Sequence, residues 1–353
     1  MTQPLIPVGR QNRYDVQDAD LAQRIDELLK ALEPYPHLDL LREVVVTAAK
    51  LAGENCDRGD LKVLRAALKE LRHSFRVFSR YRGVPKVSIF GSSRSKPGDP
   101  AYRTTLEVAA RLSGAGYMIV TGAGGGVMEA GNRGAGAGKS FGLNIALPFE
   151  QEANEAIASD EKLINFRYFF TRKLFFVKES HALILMPGGF GTQDEGFEVL
   201  TLLQTGRNVP TPVVMLDSPG GTYWKEWSRF VEGQMFDGGY LSPEDRELFL
   251  ITDSVEEACR EIQDFYRIYH SSRYVQRGEK LLLRLKRPLS DKELGALNGE
   301  FEDLLVEGLI ESAEPSPEEK DEPEVRDLFR LSLSFNRRSF GRLRQLIDRI
   351  NQE

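Results

Sequence analysis

Three apolar stripes with helical spacing occupy the first part of the chain. Leu21, Ile25, Leu28, Leu29 and Leu32 form one, interrupted by Pro34-Tyr35-Pro36. Leu40, Leu41, Val44, Val45 and Ala48 form a second that ends near Gly53, and Leu61, Leu64, Leu68, Leu71, Phe75 and Phe78 form a third. Apolar residues recurring three and four positions apart predict amphipathic helices. Together they predict a helical extension over residues 1–83 that packs on a main domain or on a subunit partner. Residues 1–17 lack the pattern and read as irregular.

From Lys86 the texture changes. Short β-rich runs at 87–90, 118–121, 142–147, 182–186 and 213–216 alternate with helical patterns. That alternation predicts an α/β fold, a Rossmann-like parallel sheet with helices on both faces, over residues 84–272. Beyond it, 280–285 reads as a strand, 291–305 as a helix and 308–312 as a short strand. A Pro- and Glu-rich loop covers 314–324, followed by a strand over 328–335 and an amphipathic helix over 339–350. This β-α-β-β-α order predicts a small α+β module over residues 273–353, whose charged surface points to packing or regulation.

Three of the predicted strands of the main domain run into glycine-rich or small polar turns: Gly91-Ser92-Ser93, the Gly122–Gly126 segment, and the segment from Gly188 to Thr192. Ligands bind at the carboxyl ends of strands in open α/β sheets, so three such turns describe a nucleotide-sized cleft. The third turn is the most informative. After the run 182–186 come Pro187-Gly188-Gly189-Phe190-Gly191-Thr192-Gln193-Asp194-Glu195, and then a helical pattern. Glycines allow close backbone approach, and a new helix aims free N–H groups at an anion. Thr192 adds a hydroxyl. Glu195 puts a carboxylate beside the phosphate, which is costly unless it performs chemistry or holds a ribose.

Other candidates are weaker. The segment Gly134 to Ser140 imitates a phosphate-binding P-loop, but that pattern needs a glycine where Arg133 stands. The Gly122 loop places Val127 where a dinucleotide fingerprint needs its third glycine, although Gly124 and Gly125 remain fair ligand-loop residues. Glu129 either reaches the cleft or caps the helix dipole. Arg172 and Lys173 lie in an aromatic run; Arg172 either stacks on its neighbours or faces the cleft.

The bulk numbers narrow the class. With 353 residues and a net charge of −6, the chain is sized for one large α/β domain with appendages and does not read as a nucleic-acid or anionic-membrane binder. The two cysteines, Cys56 and Cys259, and four scattered histidines nominate neither a disulfide framework nor a metal site. No apolar run reaches the roughly 18 residues of a membrane span. The expectation is a cytoplasmic protein without a cofactor.

On these residues the chain resembles the LOG family, the cytokinin-activating phosphoribohydrolases long labelled lysine decarboxylases. The family's P-G-G-x-G-T-x-x-E motif stands here as Pro187 to Glu195. Its Arg-Lys pair matches Arg172-Lys173, and its Gly-Ser-Ser turn matches Gly91-Ser92-Ser93. The second glycine loop matches Thr121 to Met128, and a Glu-Val-x-Thr stretch matches Glu198 to Thr201. The resemblance covers roughly residues 84–255. It implies a Rossmann-like domain, usually dimeric, that hydrolyses the N-glycosidic bond of a nucleoside 5′-monophosphate to free base and ribose 5-phosphate. It implies Arg172 and Glu195 as the catalytic pair, with Gly188, Gly189, Gly191 and Thr192 holding the phosphate. The other matched positions, Gly91, Ser92, Ser93, Gly124, Gly125, Lys173 and Thr201, are carried over as substrate-binding, with Glu129 beside them. Phe190 replaces the tyrosine common in the motif. Longer bacterial relatives include nucleosidases of ordinary purine and pyrimidine monophosphates, so the base stays open. A non-catalytic nucleotide sensor or carrier is the alternative that the two appendages suggest.

Overall fold

The computed structural model describes Val16, residues 18–146 and residues 152–352. The irregular lead expected over 1–17 therefore lies, Val16 aside, outside the described residues, as does the end of the strand expected over 142–147. Among the described residues no helix is long and apolar enough to cross a membrane.

The chain divides into two compact units between Lys69 and Glu70. In the first, α1 (Ala19–Lys30) pairs with α2 (Leu38–Lys50), and α3 (Arg58–Ser79) begins. The Asp18 side chain accepts the N–H groups of Asp20 and Leu21, which caps α1. Ile25, Leu29 and Val46 make a small core flanked by Leu38, Leu41 and Val45.

The second unit takes the rest of α3 and then alternates strictly in its first stretch: β1 (Lys86–Phe90), α4 (Pro100–Gly114), β2 (Met118–Thr121), α5 (Val127–Ala135) and β3 (Ser140–Ile145). There follow β4 (Leu163–Phe166), α6 (Phe169–Glu179), β5 (Ala182–Leu185), α7 (Phe190–Gln204), β6 (Val213–Leu216), α8 (Tyr223–Phe230), β7 (Leu250–Thr252) and α9 (Val255–Phe265). The seven strands form one parallel sheet in the order β4-β3-β2-β1-β5-β6-β7. It is a Rossmann-like sheet with both faces covered, which is why its strands read as continuous apolar runs. Val87, Ile89, Ile184 and Val214 pack on one face with Val108 and Leu112 of α4 and Ile262 of α9. Phe90, Leu183, Leu185 and Met215 pack on the other with Phe175 and Phe176 of α6, Val199 of α7 and Phe78 of α3. Strand order reverses between β1 and β5, so the crevice of the fold opens at the ends of those two strands.

The remaining elements are β8 (Tyr269–Val275), β9 (Lys280–Leu285), α10 (Asp291–Glu300), β10 (Glu311–Ala313), β11 (Phe329–Leu333) and α11 (Phe340–Gln352). They form an antiparallel sheet ordered β10-β11-β9-β8 with its own core, including Leu283, Leu285, Leu331, Leu343 and Ile347. Ser290 and Glu293 close a capping box at the start of α10.

The structure draws the domain bounds differently from the sequence pattern. Leu71, Val77 and Phe78 belong to the sheet's core, so the division falls inside α3 and not after residue 83. Residues 273–353 are part of the same compact unit as the parallel sheet, since α11 packs on the Pro243–Leu248 turn, α9 and α7. β4, β7 and β8 were not expected. The first two are short edge strands, and β8 is a polar Tyr-His-Ser-Ser-Arg-Tyr-Val segment with little apolar alternation.

Candidate functional site

The loops after β1, β2 and β5 are tied together by backbone. Ser92 N–H donates to the Pro187 carbonyl at 3.1 Å, and Val127 N–H donates to the Ser92 carbonyl at 3.0 Å. Two glycines are needed for this closeness. A β-carbon on Gly188 would lie 2.1 Å from Thr192 Oγ1 and 3.0 Å from Ser92 N. Gly126 has φ of +65°, and a β-carbon there would lie 2.4 Å from the Ser92 carbonyl oxygen. The strand β5 thus ends in a turn pressed against the β1 loop, and α7 starts immediately after Gly189. Of the first N–H groups of α7, that of Thr192 already donates to the Gly189 carbonyl at 3.0 Å, which leaves those of Phe190 and Gly191 for an anion.

These loops line a cavity of about 740 Å³. Of the residues singled out from the sequence, Gly91, Ser92, Ser93, Arg172, Gly188, Gly189, Gly191, Thr192 and Glu195 line it. The others do not. Gly124 is buried, and its carbonyl accepts from Asn154 Nδ2 at 2.9 Å. Gly125 lies behind Ser93, whose carbonyl would meet an added β-carbon at 3.5 Å. Glu129 accepts from Arg133 Nε at 2.7 Å, one turn along its own helix. Thr201 is exposed on α7. Lys173 lies beside the cavity, 2.9 Å from Asp194, 3.2 Å from Glu195 and 2.9 Å from Glu198.

Arg172, half-buried, and Glu195, buried, bring opposite charges to the cavity wall. The Arg172 guanidinium stacks between the rings of Phe169 and Phe176, 5.0 and 5.6 Å from their centres, and burial pulls its pKa down. Both notions offered by the sequence, stacking and facing the cleft, therefore hold together. Burial raises the Glu195 pKa against the opposing pull of Lys173 and Arg172. Burial also lowers Lys173, but Glu198, Asp194 and Glu195 outweigh it and hold the ammonium above the usual lysine range. Among the described residues the buried Arg172 Nε has no hydrogen-bond partner, and Glu195 Oε2 has the Lys173 ammonium 3.2 Å away. Buried polar atoms are rarely left as Arg172 Nε is, and a polar guest in the cavity would satisfy it.

Sequence reasoning missed several wall residues. Tyr223 Oη donates to the Gly188 carbonyl at 2.6 Å and accepts from Gln193 Nε2 at 2.7 Å, bracing the turn from below. The Gly220-Gly221 turn after β6 was the available sign that a further strand end reaches the crevice. Asn144, at the end of β3, lines the cavity and donates to Asn165 Oδ1 at 2.9 Å. Arg94 lines it from the β1 loop. Among the described residues no group of three or more His, Cys, Asp or Glu side chains is placed to hold a metal ion.

The model of a family described as "Possible lysine decarboxylase" matches residues 124–262. A cytokinin riboside 5′-monophosphate phosphoribohydrolase from Mycobacterium tuberculosis is 30% identical over 156 residues, which are 44% of this chain and 81% of that protein. One from Arabidopsis thaliana is 32% identical over 110 residues, 31% of this chain and 46% of its own length, so the chain spans about half of that relative. Among solved structures, the molybdenum cofactor carrier protein from Chlamydomonas reinhardtii superposes with a TM-score of 0.35 at 20% identity, covering 51% of this chain and 96% of that one.

Proposed function

The chain belongs to the LOG family, and from that premise we propose that it hydrolyses the N-glycosidic bond of a nucleoside 5′-monophosphate, releasing free base and ribose 5-phosphate. The observation that carries the reading is that Glu195 and Arg172, whose buried Nε has no partner among the described residues, share the wall of a cavity also lined by the first residues of α7. The 5′-phosphate sits on the α7 N–H groups, with Thr192 and the Ser92 and Ser93 turn around it. The sugar then lies over Glu195.

In the reaction a water oxygen bonds to the anomeric carbon as the carbon–nitrogen bond breaks, and the base leaves with that electron pair. The ribose passes through an oxocarbenium-like state, which a carboxylate beside it stabilises. Glu195 accepts the proton of the attacking water; its raised pKa makes it a stronger base than an ordinary carboxylate. Arg172, fixed between two rings, holds the leaving side of the substrate. Each group is asked for about 10²–10⁴ in rate. The homodimer expected of the family is part of the reading. It is supported by Phe169 and Phe190, which line the cavity yet expose half and nearly all of their surface.

Lysine decarboxylation, named in the family's description, fits the geometry poorly. A Schiff-base lysine works from a depressed pKa, whereas Lys173 is held charged by three carboxylates and no lysine lines the cavity. Incubation with AMP, GMP, CMP, UMP and isopentenyl-AMP tests the proposal, with release of base from at least one expected. Tight nucleotide binding with no base released from any would instead assign a nucleotide sensor or carrier.

A further inference from the structure

Helix α6 presents two adjacent stripes to two different surroundings. Arg172 and Phe176, four residues apart, face the cavity. Thr171 and Phe175, also four apart, face the C-terminal half of α3. There the Phe175 ring packs against Phe75 at 5.4 Å and stacks on Phe78 at 5.8 Å. Beside these rings Glu70 makes a polar clamp. Its Oε2 accepts the Thr171 hydroxyl at 2.5 Å, and its Oε1 accepts the Arg167 backbone N–H at 3.0 Å. One carboxylate thus ties the segment leading into α6 to the first turn of that helix. A negative group there also suits the helix dipole.

Arg172 needs such an external reference. Its Nε has no hydrogen-bond partner among the described residues, and ring faces restrain a guanidinium perpendicular to their planes but let it slide within them. The helix that carries it must set its position. A rotation of α6 by about 10° would shift a group roughly 7 Å from the axis by about 1 Å. Misplacement of that size can lower a rate by about 10²-fold.

We propose that Glu70 is a positioning residue for the cleavage, fixing the rotation of α6 and so the place of the Arg172 guanidinium relative to Glu195. This rests on the phosphoribohydrolase reading. It gives a catalytic purpose to a segment that precedes every family motif in the chain.

The test uses full-length wild type, E70A, E70Q, T171V and the E70A/T171V double variant, with whichever monophosphate the wild type cleaves fastest. E70A should lose about 10- to 100-fold in kcat with KM within about threefold. T171V should lose less, and the double variant should be no slower than E70A, since both remove one clamp. E70Q keeps an oxygen for one of the two donors and should recover part of the rate. Wild-type kcat in a folded E70A overturns the proposal while leaving the function intact. A loss that tracks the melting temperature and is not eased in E70Q assigns Glu70 a purely structural role and overturns it as well. If wild type cleaves no monophosphate, the functional reading falls. Glu70 is then judged on AMP affinity by calorimetry: a loss of about tenfold or more in E70A upholds its hold on Arg172, and unchanged affinity overturns it.

Discussion

Two glutamates, Glu195 in the cavity and Glu319 in the C-terminal module, are equally buried, with 4% and 5% of their surface exposed. Their environments are opposite. Glu319 accepts from Arg284 Nε at 2.7 Å, from the Ser316 N–H at 2.8 Å and from Arg330 Nε at 3.4 Å. Burial works against its charge, but the Ser316 N–H, Arg284 and Arg330 overcome that and hold its pKa below the ordinary range. Glu195 has one lysine, 3.2 Å from its Oε2, that it shares with two other carboxylates, and a raised pKa. A closed network of buried charges is architecture, here pinning the loop before β11 to the sheet. An open one costs stability and is kept where a substrate completes it.

The sharpest way to break this contrast is to neutralise each glutamate. Glu195→Gln should lower kcat by roughly 10³–10⁴-fold while AMP binding persists, measured by base release and calorimetry. Retained turnover would move the chemistry elsewhere. Glu319→Ala leaves Arg284 and Arg330 without their shared partner and should cost about 3 kcal/mol or more in chemical denaturation. Under folding conditions its kcat should stay within about twofold of wild type if the module is only a scaffold.

Acid separates the two residues without mutation. A raised pKa means that Glu195 becomes ionised only as pH climbs above the ordinary carboxylate range, so kcat/KM should fall on the acid side at a pH higher than a surface glutamate would give. A depressed pKa means that Glu319 contributes stability above its unfolded value and loses it only as pH drops through the folded one. Between the ordinary glutamate range and the raised value of Glu195 the protein should therefore be folded by circular dichroism yet slow, regaining rate as pH climbs through that raised value. Loss of structure and of rate at one common pH would erase the distinction. The smallest effect is expected from Tyr223→Phe, which removes the hydroxyl under Gly188. KM for the monophosphate should rise about 5-fold, near 1 kcal/mol, with kcat little changed.

Much of the catalytic domain could be read from the residues because its determinants are local. A buried parallel strand is a continuous apolar run, and the turn that follows it must be small. β1, β2, β5 and β6 and the turns after β1 and β5 were therefore found where expected. Glu129 and Thr201 show the limit. Both sit at reasonable distances along the chain from cavity residues, but one is engaged by Arg133 and the other faces outward. Helical spacing gives a residue's face only relative to its own helix, and the packing of that helix decides what the face meets. Tyr223 and Asn144 were missed for the same reason, since a tyrosine after a glycine turn and an asparagine in a strand are ordinary until a cavity opens beside them.

By itself the sequence determined the kinds and order of the main elements, the glycine-rich turn after β5 and the family, because these depend on periodicity, backbone freedom and residues adjacent in the chain. Only the tertiary structure decided where the first unit ends within α3, that Glu70 reaches the helix of Arg172, and which of two buried glutamates is left open. Those outcomes depend on partners distant in sequence, and in a low-dielectric interior it is the presence or absence of such a partner that sets a charge's energy and its use.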